Sequence, residues 1–314
     1  MESLNSKLIN KMKDLNNKLD QRLKDLDYFN RSKTREKLKN FGSFIDLEKL
    51  DQEALKDFSK MACVDGSVNR FGSSHPHYID LYQGLAKLSP SSYEDVFESN
   101  VYSPLFADQE EKEEDLRGKL LARIEIQAAT RALETYQLDY LIMDGNLIRY
   151  NIEDKENFLK LLDLCLEKNV IISGFIKEPK TNVLTELIFP SLKDMNLSDK
   201  DILYGILSQG EGYILNDSYN KKVDQGFYSI FLRTASYPGV TAMEIPSQQK
   251  SQLLKMANLA YSLSPQMSRG VPLIIDMVDK EVKIDDKLMK EIVLAYIDKD
   301  LVERFFTSER SMRR

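Results

Sequence analysis

Cysteine is almost missing from this 314-residue sequence, which has two. Cys63 and Cys165 each sit inside an apolar segment, Met61 to Val64 and Leu161 to Leu166, a setting that suits buried free thiols and speaks against a disulfide framework or a zinc site. Histidine is equally scarce. His75 and His77 form a His-Pro-His pair with no third or fourth ligand nearby, so loop packing is expected of them rather than zinc binding. No apolar run approaches the roughly 20 residues that span a bilayer, and the polar N-terminus lacks the apolar stretch of a secretory signal. A cytoplasmic protein without a membrane partner is therefore expected. Linkers rich in Gly, Ser or Pro are missing too, which favours one elaborated domain. A basic excess is also absent. The formal charge of −6 excludes a uniformly basic coat for nucleic acid, so any nucleic acid must meet a local patch.

What is present is ordinary globular composition, 42% hydrophobic and 30% charged, enough to bury a substantial core. Leu4, Leu8, Met12, Leu15, Leu19, Leu23 and Leu26 recur at spacings of three and four, which predicts one long amphipathic helix over residues 1 to about 40, packed on the body or on a partner, with self-association as a coiled coil the alternative. A short apolar run, Met61 to Val64, predicts a buried strand that ends in a turn at Asp65-Gly66-Ser67. Tyr78 to Ala86 reads as a second strand, with Tyr78 and Tyr82, like Phe227 and Tyr228 later, in packing roles. The acidic stretch Asp108 to Asp115 opens a long helix reaching about Tyr136, where negative charge suits the macrodipole. Tyr140 to Met143 is again a continuous apolar strand ending in Asp144-Gly145. With a helix from Lys155 to Lys168 and a strand from Val170 to Ile176 it makes a βαβ unit with parallel pairing, so the core is α/β. Strands are expected at Phe227 to Leu232 and Pro272 to Ile275, and helices at Ser247 to Leu263 and Asp285 to Phe306. Residues 178 to 225 give little pattern.

Two apolar strands that each end in Asp-Gly place two carboxylates at the same relative position. Hard divalent cations such as Mg²⁺ and Mn²⁺ take carboxylate oxygens, and a pair of ions about 3.5–4 Å apart can activate water against a phosphodiester. Either Asp-Gly alone is a common turn dipeptide, and the alternative of an actin-like ATP-binding site suffers from the lack of a glycine-rich cluster among 13 glycines. Glu125 is spaced three or four residues from Leu121, Ala128 and Ala129, and so shares the face that packs on the sheet. A carboxylate there needs compensation, from Arg123, Arg131 or a metal.

The ordered set Val64-Asp65-Gly66-Ser67, Arg123-Ile124-Glu125 and Met143-Asp144-Gly145-Asn146-Leu147-Ile148 resembles the NurA nuclease family, with 144 − 125 = 19 residues between the last two acids. Ser173 to Lys177 is similar to that family's strand ending in a lysine, and Phe227 to Arg233 to its later strand; the likeness spans roughly residues 55 to 285. The resemblance implies a ribonuclease H-like fold, a mixed five-stranded sheet flanked by helices, here with an added N-terminal helix (residues 1–45) before a nuclease domain (46–314) that ends in helices. It implies DNA as substrate, cut as single strands and degraded from 5′ ends, a homodimer, a HerA-type hexameric ATPase as partner in DNA repair or anti-phage defence, and Mn²⁺ or Mg²⁺, two ions, held by Asp65, Glu125 and Asp144. Many members end the core with a Tyr-Pro segment and an Ala-His pair, whereas this chain has Arg269 to Met277 without histidine. Asp276 is the expected fourth ligand. Lys177, Arg70 and Arg233 are candidates for phosphate contacts. The altered fourth position leaves open a non-catalytic adaptor that recruits a motor ATPase.

Overall fold

In the computed structural model, residues 5–24, 30–106 and 113–307 are described. The amphipathic N-terminus forms two helices, not one: α1 (Ser6–Lys24) and α2 (Arg31–Leu38), the second begun by Asn30, whose side chain accepts from the Lys33 N–H. Leu4 and Leu26 lie outside the described residues. Leu23 packs against the body, but Leu8, Met12, Leu15 and Leu19 are exposed. Then follow β1 (Gly42–Asp46), α3 (Gln52–Lys56), β2 (Met61–Gly72), β3 (Tyr78–Ser89), β4 (Val96–Tyr102) and α4 (Glu113–Thr135). The acids at 108–112 that were expected to open α4 also lie outside the described residues. Next are β5 (Tyr140–Asp144), α5 (Leu147–Glu153), α6 (Lys155–Glu167), β6 (Ile171–Ile176), α7 (Val183–Ile188), α8 (Asp199–Leu203) and β7 (Glu211–Leu215). The chain continues with β8 (Phe227–Arg233), β9 (Thr241–Pro246), α9 (Leu253–Leu263), α10 (Leu273–Val282) and α11 (Asp286–Tyr296).

The nine strands form one mixed sheet in the order β1-β7-β8-β9-β6-β5-β2-β3-β4. Five contiguous strands, β6-β5-β2-β3-β4, make the expected unit, with β2, β5 and β6 parallel and β3 and β4 antiparallel. The other four extend it through the antiparallel β6–β9 pair, and β1 closes the far edge against β7, so the expected boundary at residue 45 falls inside a sheet strand.

Both faces of the centre are covered, which is why β2 and β5 begin as unbroken apolar runs. Ala62, Val64, Leu141 and Met143 meet Ala129 and Leu133 of α4 and Phe158 and Leu161 of α6. On the other face Cys63, Ile142 and Phe175 meet Met256 and Ala260 of α9 and Ile275, Val278 and Val282 of α10. Burying each such Leu, Ile or Phe contributes roughly 1.5–3 kcal/mol. Two expectations fail here. The segment Pro272 to Ile275 is the start of α10 and not a strand, because Ile275, Val278 and Val282 repeat at three and four and bury one helical face. Asp65-Gly66-Ser67 is not a turn: β2 runs through it to Gly72, paired residue for residue with β3.

Candidate metal centre

Strand alternation decides where the acids point. Asp65 lies two residues beyond Cys63, Asp144 two beyond Ile142 and Lys177 two beyond Phe175, so all three project on the face covered by α9 and α10, where the parallel pairing of β2, β5 and β6 stops. Helix α10 crosses that end and brings Asp279. Ligand-type oxygens of Asp65, Asp144 and Asp279 lie within 4.8 Å of one another. Lys177 Nζ stands among them, 2.6 Å from Asp144 Oδ2 and 2.7 Å from Asp279 Oδ1.

Glu125 reaches this end from the opposite face. Gly66 and Gly84 are cross-strand partners, and a Cβ on either would collide with α4: at Gly66 it would lie 2.6 Å from the Glu125 Cγ and Oε1, at Gly84 2.6 Å from the Ile124 carbonyl oxygen. The glycine pair is thus a seat that lets α4 approach the sheet and lays the Glu125 carboxylate over Gly66, next to Asp65. Glu125 is 2% exposed. Its charge is met by Arg149 of α5, and not by Arg123 or Arg131, which pair with Asp154 and Glu98.

The electrostatics follow from this crowding. Burial, then the charges of Asp144 and Glu125, raise the Asp65 carboxyl to about 8, although the Gly66 N–H and Lys177 act the other way. Asp144 is raised too, chiefly by burial, against the pull of Lys177 and a hydrogen bond with Asp65. Glu125 is raised by burial despite Arg149. Lys177 is lowered by burial but more strongly raised by Asp144 and Asp279, so its ammonium is held. Hard oxygen donors, a mutual spacing that one ion can bridge, and carboxyls that resist ionising without a cation are what a Mg²⁺ or Mn²⁺ site requires.

The other expected site residues lie elsewhere. Asp276, one turn before Asp279, pairs with Arg269 at 2.6 Å and is not in the cluster. The mistaken strand at 272–275 hid this, since the spacing of Ile275, Val278 and Val282 already marks a helix on which Asp279 follows a core position. Arg70 makes a two-pronged pair with the buried Asp80, at 2.7 and 2.8 Å, and stacks on Tyr78. Arg233 clamps the carbonyls of Leu207, Ser236 and Tyr237. Both are engaged in holding the fold. His77 stacks on Phe305 and His75 packs edge-on to Tyr78, as expected of loop packing, and both cysteines are buried and free. Arg149 was missed. Its only sequence signal is its place in the first turn of a helix capped by Asn146, directly after Asp144-Gly145.

The NurA domain family model matches residues 59–284. The crystal structure of the NurA nuclease from Sulfolobus solfataricus is similar, with TM-score 0.58 and 11% identity over 92% of this chain and 95% of that one. Endonuclease V from Bacillus subtilis (TM-score 0.40, 11% identity, 83% and 91% covered) and the catalytic domain of human endonuclease V (0.38, 14%, 84% and 96%) also match. No curated protein matches in sequence. Fold and site define the class, an α/β protein whose mixed sheet carries a cluster of carboxylates able to hold a divalent cation. The chain belongs to the NurA family. Among the described residues no helix is long and apolar enough to cross a membrane.

Proposed function

We propose that this protein is a divalent-metal-dependent DNA nuclease whose cation is held by Asp65, Asp144 and Asp279, with Glu125 beside them. The observation that carries the reading is the convergence of three carboxylates from β2, β5 and α10, with Asp65 raised to about 8. A bound Mg²⁺ or Mn²⁺ supplies Lewis acidity and positive charge against the charge that develops on a phosphodiester during hydrolysis. Asp65, Asp144 and Asp279 would hold the cation as carboxylates, and the Lys177 ammonium beside them would be placed to donate to a phosphate oxygen. Asp276, Arg70 and Arg233 have no part in this assignment, because each is committed to a partner that is not one of these acids. Family membership supports single-stranded DNA and 5′ ends as substrate, a homodimer, and a HerA-type ATPase that feeds duplex to the nuclease, in repair or defence.

The test is cleavage of 5′- and 3′-labelled single- and double-stranded DNA with Mn²⁺, Mg²⁺ or EDTA, with and without a HerA-type ATPase. Cleavage is expected with either ion and lost in EDTA. Asp65→Ala or Asp144→Ala should abolish it with the circular dichroism spectrum unchanged; a variant with full Mn²⁺-dependent activity sinks the assignment.

A further inference from the structure

The cluster contains two fixed positive charges as well as four acids, and their arrangement bears on how many ions it takes. Glu125 presents one oxygen, Oε2, to the Arg149 guanidinium, while Oε1 is the oxygen laid against Gly66. Arg149 is stacked on the buried Tyr150, 4.4 Å from its ring centroid, and runs beside Gly145, where a Cβ would lie 3.9 Å from its Nε and Nη2. The guanidinium therefore occupies the flank between the Asp144-Gly145 turn and Glu125. A second ion using Glu125 with Asp144 would need that same space. An arginine cannot yield it by losing its proton.

Charge gives the same answer. Fully ionised, as ligands of a cation are, Asp65, Glu125, Asp144 and Asp279 carry −4, and Lys177 with Arg149 carry +2, leaving −2. One divalent ion neutralises the site; two would leave +2 in a half-buried pocket, which is costly.

We propose that the free protein binds a single divalent cation and that Arg149 is the built-in second positive charge, with guanidinium N–H groups left to donate to the phosphate of bound DNA. This rests on the metal-centre reading above.

The experiment is Mn²⁺ titration of the full chain by calorimetry, with electron paramagnetic resonance to detect spin-coupled Mn²⁺ pairs. Wild type should bind one ion with no coupled signal. Arg149→Met, which leaves −3, should take up a second ion and show the coupled pair. The double variant Glu125→Gln with Arg149→Met restores −2 without an unpaired buried charge, and should return to one. Two ions and a coupled signal in wild type would overturn the proposal, as would one ion in folded Arg149→Met. Absence of any Mn²⁺ binding would remove the metal centre itself along with it. The wild-type measurement decides even where the single variant does not fold.

Discussion

Two sets of acids in this protein are compensated in opposite ways. Asp80 and Glu211 each receive the two-pronged fork of one arginine, Arg70 and Arg35, with all four contacts at 2.7–2.8 Å. Burial alone would raise Glu211, but Arg35 and the Ser208 N–H outweigh it and hold the carboxyl below its ordinary value. Where the parallel pairing of β2 and β5 stops, four acids share two basic side chains, and Asp65, Asp144 and Glu125 are all raised. Where each acid has its own arginine, the pair holds strands and helices together. Where acids outnumber bases, the fold retains a repulsion that a divalent ion relieves, and such surplus is the mark of a working site.

Neutralising one acid in each region separates these roles. Asp65→Asn removes a carboxyl that must ionise to hold the cation, so DNA cleavage should fall by roughly a thousandfold or more, about 4 kcal/mol of barrier. The melting temperature in EDTA should rise. A melting temperature that falls would show that Asp65 is a structural partner like Asp80. Asp80→Ala should do the reverse: it leaves the Arg70 guanidinium without its partner carboxylate and should cost about 3–5 kcal/mol of stability. Activity per folded molecule should stay unchanged. Denaturant unfolding and a rate normalised to the folded fraction read both outcomes.

Sequence could not tell the two regions apart by residue type alone. Asp65, Glu125 and Asp144 were legible because apolar runs ending in an acid, and an acid on a helix's core face, are local patterns. Arg70 looked like a phosphate ligand because its partner Asp80 lies across a β-hairpin, and cross-strand register is not written in either segment. Arg149 as the counter-charge of Glu125 is equally non-local: Gly66 and Gly84 let α4 close on the sheet, and Arg149 reaches Glu125 from a separate helix, α5. Four of the five strands of the β6-β5-β2-β3-β4 unit were foreshadowed by readable segments, Met61, Tyr78, Tyr140 and Val170 onward. Strands β1 and β7 were not, since five-residue strands without alternation carry little periodic signal.

A smaller contrast lies within α10. Asp276 and Asp279 are three residues apart on one helix, yet the first has a private arginine and the second shares Lys177 with Asp144. Asp279→Asn should weaken Mn²⁺ binding roughly 10- to 100-fold, the range found when a metal site's support is altered. Asp276→Asn should leave it unchanged. Equal losses in calorimetry would mean that α10 acts as a whole through its packing and that the cluster ends with Asp144.

The smallest effect is the most direct reading of the crowding, because it needs no mutation. Asp65 has an ordinary value of 3.8 and is raised to about 8 in the fold. Below about pH 4 both folded and unfolded chains hold this proton, so it contributes no difference. Between 4 and 8 the unfolded chain has lost it and the folded chain keeps it, so the stability of the ion-free protein should fall as pH rises through that window and level off above 8. Cation binding runs the other way. An entering ion must expel the proton shared by the Asp65–Asp144 pair, so Mn²⁺ affinity should climb by up to about tenfold per pH unit towards 8, then flatten. Dissociation constants measured from pH 6 to 9, with proton release read from buffers of different ionisation enthalpy, check both the slope and the plateau. A constant affinity between pH 6 and 8 would mean that Asp65 is already ionised there, and that the acids of this end are as well compensated as Asp80 and Glu211.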